Sequence, residues 1–273
     1  MDKADKKTDE PIDDLLNKPA NSKESKNKNS SASPEEKVVV RTDQTMILLG
    51  DNCQDLSWFR KGAVLEYRGI DEKGKVEGGY KIQVENLKNE GTATIAEVQA
   101  TLYSPEYEDI QYPMNYICQG DMIYMDVSSM AKAMMGNSPM GNNSEAKKAL
   151  ENMKMDFSEG FASFPKKMHP GMKLKDLKFS FTTQVAGNEM SFQSTITDRQ
   201  VIKRETITTA AGTFDCLVIR SVTHSQVKVM GMNQKVPTTT EYLWIAPKVG
   251  MVKQESHQGN KIGSSIQLHS YKL

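Results

Sequence analysis

The sequence predicts a mainly β protein: an antiparallel, strongly curved sheet or open barrel with a small two-helix insertion. Apolar and polar residues alternate from Gly62 onward, the signature of strands with one buried face. Glycine-centred turns punctuate the alternation at roughly 8–12-residue spacing, which suits a sandwich or an open barrel. The βαβ alternation of a nucleotide-binding fold is missing.

Taken in order, Val64–Arg68 leads through Asp71-Glu-Lys-Gly-Lys75 into an alternating face of Tyr80, Ile82 and Val84, a hairpin with Gly74 placed for positive φ. Thr92–Tyr103 follows, and Tyr116–Cys118 pairs with Met122–Met125 across a Gln-Gly-Asp turn. This half reads as a meander. Between 126 and 160 the rhythm breaks. Val127, Met130, Ala131 and Met134 share one helical face ending at Gly136, and Ser144 can cap a second helix with Ala146, Ala149, Leu150 and Met153 on its apolar side. Strands then resume at Leu177–Val185, Met190–Thr197, Val201–Thr208, Phe214–Thr223, Gln226–Met230, Thr238–Ile245, Met251–His257 and Ile262–Tyr271. Phe214–Val222 is apolar on both faces, which marks a central strand.

Residues 1–44 read as a disordered polar tether and 45–273 as one domain, because 1–36 contain no aromatic residue and are built from Lys, Asp, Glu, Ser, Asn and Pro. Lys+Arg and Asp+Glu both number 35, so no broad field for nucleic acid exists, and Lys23–Lys28 reads as a solvated tail. No run of about 18 apolar residues offers a transmembrane span. No signal peptide opens the chain, yet a hydrophilic tether directly after Met1 is what remains when a leader is cut from an exported protein.

Chemistry-bearing motifs are scarce. Cys53, Cys118 and Cys216 match no zinc or redox spacing, and an odd count allows at most one internal disulfide. Cys216 reads as a small buried hydrophobe between Phe214 and Val218, while Cys53 and Cys118 stay open. His169, His224, His257 and His269 form no ligand pair, and no Gly-x-Ser-x-Gly or phosphate-binding loop occurs; Gly78-Gly79 reads as a bend in a strand. No catalytic residue, metal site or cofactor is therefore expected. Seventeen methionines, eight between Met122 and Met155, can fill a gap between helix and sheet or line a site for apolar ligands.

A set of segments resembles a known family: Asn115–Asp126, Phe164-Pro-Lys-Lys-Met-His-Pro-Gly-Met-Lys-Leu174, Thr197–Thr206, the Ala-Gly-Thr-Phe-Asp-Cys turn at 211–216 and Trp244–Val252. Together these resemble the TapB-like exported envelope proteins of Bacteroidetes, over roughly Asn52 to Leu273. The resemblance implies an exported, antiparallel β protein of the periplasm or outer membrane, with no agreed activity and no catalytic residue to transfer. The resulting expectation is a noncatalytic envelope protein that binds a lipid or other apolar molecule in a curved-sheet pocket. Val127, Met130, Met134, Leu150 and Met153 would be its lid. The alternative is a structural or interaction protein that binds an envelope protein or glycan. A hydrolase would need a polar cleft gathering His169, His224 or His257 beside a Ser or Asp.

Overall fold

The computed structural model describes residues 40–41, 43–71, 75–104, 107–126, 154–156, 162–185, 188–229 and 231–273. Its strands, in chain order, are β1 (Val40–Arg41), β2 (Ile47–Leu48), β3 (Val64–Ile70), β4 (Val76–Glu90), β5 (Ala93–Ser104), β6 (Tyr107–Gln119) and β7 (Met122–Met125). Three short strands follow, β8 (Lys154–Asp156), β9 (Ala162–Pro165) and β10 (Lys167–Met168). The last group is β11 (Leu177–Val185), β12 (Asn188–Thr209), β13 (Gly212–Val229), β14 (Met232–Lys235), β15 (Thr239–Ala246), β16 (Gly250–Gln258) and β17 (Lys261–Lys272). Among the described residues, 15 of these strands form one antiparallel sheet, strongly curled into a half-barrel, and β2 pairs with β10.

The path through this sheet is β8-β11-β12-β13-β15-β16-β17-β3-β4-β5-β6-β7-β9, with β1 and β14 as side branches on β12 and β13. Two meanders are thus joined where the last strand pairs with the first long one, Leu268 opposite Tyr67. The open side falls at mid-chain. Its two edges, β8 and β9, are consecutive in sequence, and the chain from Asp156 to Ala162 spans no more than about 22 Å even when fully extended. Covalent connectivity alone therefore obliges the sheet to curl.

Two expected strand pairs are single long strands. β12 runs unbroken through 188–209 and β13 through 212–229, because a bulge absorbs the polar break at Thr197–Val201 and the Thr223–Ser225 stretch stays in register with Ser194–Ile196. The expected central strand is central: β13 lies between β12 and β15, and Cys216–Ile219 are all buried. The two-helix insertion near 126–160 is not supported. Among the described residues there is no α-helix, and Lys154–Asp156, directly after the expected second helix, is the edge strand β8 paired with Ser180–Thr182. The physical reason is edge demand: β11 offers an unpaired ladder there, and strand pairing satisfies it. The rest of the insertion lies outside the described residues. Val40 and Arg41, counted above with the tether, pair with Glu205 and Arg204.

One segment, 47–63, is packed between the two meanders. Its two 3-10 turns, Cys53–Asp55 and Ser57–Phe59, carry Leu56, Trp58 and Phe59 into the core together with Leu49. Trp58 stacks on Tyr116 of β6 with ring centroids 5.3 Å apart and meets Phe164 of β9 edge-on. Backbone bonds tie the segment to the rest: Leu49 N–H donates to the Lys166 carbonyl, Ser57 N–H to Lys248, and Val84 N–H to Ala63. Ser57 Oγ donates to the Val249 carbonyl at 2.6 Å. Gly250 lies against the indole, and a Cβ there would collide with Trp58 Cε2 and Cζ2; its φ of 91° is also one that side chains rarely adopt. A disulfide joins Cys53 in this segment to Cys118 on β6, which settles the pairing the sequence left open.

At the open side, Arg199 performs a different task. Asp198, at φ 50°, and Arg199 form the bulge in β12 that turns the guanidinium inward, where it is only 8% exposed. Its Nη2 donates to the Ser163 carbonyl of β9 at 2.7 Å, and its Nη1 donates to the Lys175 carbonyl at 2.5 Å. The cation thus links one free edge of the sheet to the strand two places in from the other. Burial pulls its pKa down to about 10, with the Asp176 charge opposing that pull.

Two stability predictions follow from these ties. Removing both Cys53 and Cys118, as the double serine variant, lowers the unfolding free energy by about 4 kcal/mol, because the crosslink closes a long loop (65 residues). Arg199→Ala costs about 3 kcal/mol, from two lost charge-assisted bonds, and Arg199→Lys recovers less than half of it because an ammonium cannot fork to both carbonyls. Urea unfolding followed by tryptophan fluorescence measures both, and a lysine variant equal to wild type would refute the clamp.

Candidate functional site

The concavity that the described residues define lies at one end of the sheet, across β17, β3, β4 and β5. It is a groove of about 600 Å³, with Gly69, Gly78 and Gly79 along it and Ile70, Leu102 and Ile266 among its walls. Register explains the hollow. Ile266 pairs with Gly69, Gly69 with Gly78, and Gly79 with Tyr103, so three glycines meet on adjacent strands. Gly69 and Gly79 differ in what surrounds them. At Gly79 a Cβ would collide with the Tyr67 carbonyl oxygen and press on the Tyr103 ring, so a neighbour already occupies that space. At Gly69 a Cβ would meet nothing nearer than the Gly78 carbonyl oxygen at 3.5 Å, so the space there is vacant. Tyr103, whose hydroxyl donates to the Tyr67 carbonyl at 3.4 Å, has its pKa raised to about 12, by burial first and by the Glu66 charge second.

Among the described residues, the side chains next to the groove belong to a buried core. Tyr67 and Tyr80 stack at 4.5 Å, the Tyr67 hydroxyl donates to the Met251 carbonyl at 3.1 Å, and Trp58 and Phe59 close the space beneath. Burial raises the Tyr67 and Tyr80 hydroxyls well above the ordinary tyrosine range, so they stay neutral. The expected lid residues Val127, Met130, Met134, Leu150 and Met153 lie outside the described residues.

The histidines are dispersed. His169 Nδ1 lies 2.8 Å from the Pro170 carbonyl, His224 Nδ1 lies 3.3 Å from Thr238 Oγ1, and His257 Nε2 lies 2.9 Å from Glu255. Among the described residues none of the three hydrogen-bonds a Ser or Asp, and no group of His, Cys, Asp and Glu is spaced to hold a metal ion. The most buried carboxylate, Glu205, accepts from Trp244 Nε1 at 2.7 Å and from Lys203 Nζ at 3.0 Å, while Lys253 Nζ sits 4.8 Å over the Trp244 ring. These contacts cover an indole on the sheet face and leave no oxygen poised for acid–base work. Glu255 is similar: burial acts to raise its pKa, but hydrogen bonds from Lys253 and His257 outweigh it and leave the carboxyl below its usual range. Among the described residues no helix is long and apolar enough to cross a membrane.

Sequence reasoning missed both parts of this site. Gly78-Gly79 read as a bend, and neither Gly69 nor the Trp58 segment stood out. The available signal was the recurrence of glycine at three positions that a β3–β4 hairpin brings side by side, but it needs the register to be seen.

The fold agrees with that of known proteins. The DUF3108-like family model matches residues 60–268. This chain belongs to the DUF3108-like family. No curated protein sequence matches it. Two crystal structures share its fold. A Bacteroides fragilis protein, provisionally described as exported and with a YmcC-like fold, is 16% identical with a TM-score of 0.56, covering 78% of this chain and 97% of its own. A protein from Parabacteroides distasonis, provisionally described as a lipoprotein, is 21% identical with a TM-score of 0.58, covering 78% and 96%. The family match carries the DUF3108-like description, which is coarser than the TapB-like resemblance drawn from the segments above.

Cys216 gives this DUF3108-like chain a measurable chemical signature. It is the free cysteine among the described residues, it is buried, and burial together with the Asp215 and Glu205 charges pushes its thiol up to about 12. A thiol raised in this way stays protonated in the folded state, so it subtracts stability only as pH climbs above its unfolded value near 9. A thiol-specific disulfide reagent at pH 8 is expected to label no cysteine in the native protein, one after unfolding without reductant, and three after unfolding with reductant. Rapid labelling of the native protein would overturn the buried-thiol assignment.

Proposed function

We propose that this DUF3108-like protein is a noncatalytic protein of the cell envelope that acts by docking a partner on its surface rather than by carrying a lipid inside its sheet. The observation that carries this reading is the packing of the sheet's concave side among the described residues. Leu49, Leu56, Trp58 and Phe59 occupy the space that a lipid-carrying half-barrel keeps open, and a disulfide fastens their segment in place. The same disulfide supports an exported location, in the periplasm or at the outer membrane, since such bonds persist in oxidising compartments. The descriptions of the two structural neighbours as exported and as a lipoprotein agree with it, as does the TapB-like resemblance. A noncatalytic role is supported by the separate, locally satisfied histidines and carboxylates.

Native mass spectrometry of the protein from its host's envelope fraction, before and after denaturing extraction, tests this reading. The bare protein mass is expected in gentle preparations. A releasable lipid mass at near-stoichiometric occupancy would overturn the docking reading and restore the carrier.

A further inference from the structure

We propose that the glycine-floored groove across β17, β3, β4 and β5 is the docking site for a protein partner, and that it takes an apolar segment of that partner flanked by lysine or arginine. This inference rests on the docking reading above. Three observations carry it, and each concerns a different property of the groove.

The first is vacancy. Gly69 accepts a side chain sterically, since nothing lies nearer than 3.5 Å to its Cβ position, yet neither this residue nor a neighbour fills the space. Gly79, the next residue along β4 from Gly78, is different, since the Tyr67 carbonyl oxygen and the Tyr103 ring leave no room there for a Cβ. This hollow, with Ile266 and Leu102 among its walls, is the socket the proposal assigns to an apolar side chain of the partner.

The second is the exposure of apolar side chains at the rim. Ile262, in the groove wall, is 44% exposed, and Val76, the register partner of Ile70, is 45% exposed. Covering them against a partner removes apolar area from water at about 25 cal/mol per Å². The groove is partly open to solvent, so an extended segment of a partner protein can lie in it with its flanks outside.

The third is charge. Among the described residues, the lining includes the carboxylates Asp71 and Glu77 and no lysine or arginine. Asp71 is held in place, with Oδ1 accepting the Lys75 N–H at 2.7 Å. Glu77 is one residue from Gly78 on β4. Charges at the edge of an apolar socket set register and select partners by sign, so an acidic rim selects a basic flank and rejects an acidic one.

The test uses the full chain and two synthetic peptides of identical apolar core, Leu-Ile-Phe-Leu, one flanked by two lysines at each end and one by two glutamates. Amide chemical shifts and calorimetry follow the titration. The lysine-flanked peptide is expected to bind saturably, at least about tenfold tighter than the glutamate-flanked one, with shifts centred on Gly69, Gly78 and Ser265. Glu77→Lys is expected to reverse the preference. Gly69→Leu fills the socket while leaving both carboxylates, so it is expected to weaken the lysine-flanked peptide about tenfold; unchanged binding would mean nonspecific attraction to acidic surface and would sink the proposal. Should Gly69→Leu fail to fold, Ile262→Ser on the exposed rim replaces it, with a several-fold loss expected and no change overturning the assignment. A lipid found in the native mass measurement would defeat the docking reading by itself, whatever the peptides do.

Discussion

The burial of Trp58 is the interaction on which the rest of the structure depends. A curled sheet leaves a concave face that must be covered, and among the described residues the segment 47–63 packs against it. Trp58 touches β6 through Tyr116, β9 through Phe164 and the start of β16 through Gly250, so a single side chain holds three strands from both meanders. The fit is specific, because glycine at 250 is required to admit the indole. The disulfide to Cys118 reduces the entropy lost in placing this otherwise irregular segment.

Closure of the sheet is managed by two devices of different kinds. Where the first and last long strands meet, β3 and β17 simply pair, and the half-barrel has no edge there. At mid-chain β8 and β9 end the sheet, and Arg199 reaches from the β12 bulge to the Ser163 carbonyl of β9. A guanidinium suits this task, since it forks to two carbonyls and keeps its charge even when burial lowers its pKa to about 10. The free side of β12 is protected in the same economical way. Phe179 and its neighbours on β11 cover 188–196, Met172 and Leu174 bond to 199–201, and β1 pairs at 204–205. No long unpaired ladder is left along that stretch.

The groove stands apart from these structural ties. Its glycines do not relieve a clash at Gly69, and its rim residues do not complete the core. A hollow with apolar walls beside a buried core that includes Tyr67 and Trp58 puts the proposed docking edge on a packed support. Sites carried on strands of a stiff sheet hold their geometry better than sites on loops.

Much of the strand pattern was legible because period-two alternation is a local property. The β3–β4 hairpin, the Gln119-Gly120-Asp121 turn with Gly120 at φ 56°, and the doubly buried β13 all declare themselves within a few residues. The unbroken lengths of β12 and β13 were not legible, because a bulge looks like a strand end until the partner strand is known. Nor was the pairing of Cys53 with Cys118, whose separation in sequence carries no distance information. Nor was the end of the expected insertion legible: a helical spacing of Met and Val ahead of β8 says nothing of the open ladder on β11 that draws Lys154–Asp156 into the sheet. By itself, then, the sequence determined a mainly antiparallel β domain, through side-chain alternation and turn chemistry that act over a few residues. Only the tertiary structure decided what fills the sheet, what clamps its opening and where three glycines from two strands meet, because each of these depends on register between residues far apart in the chain.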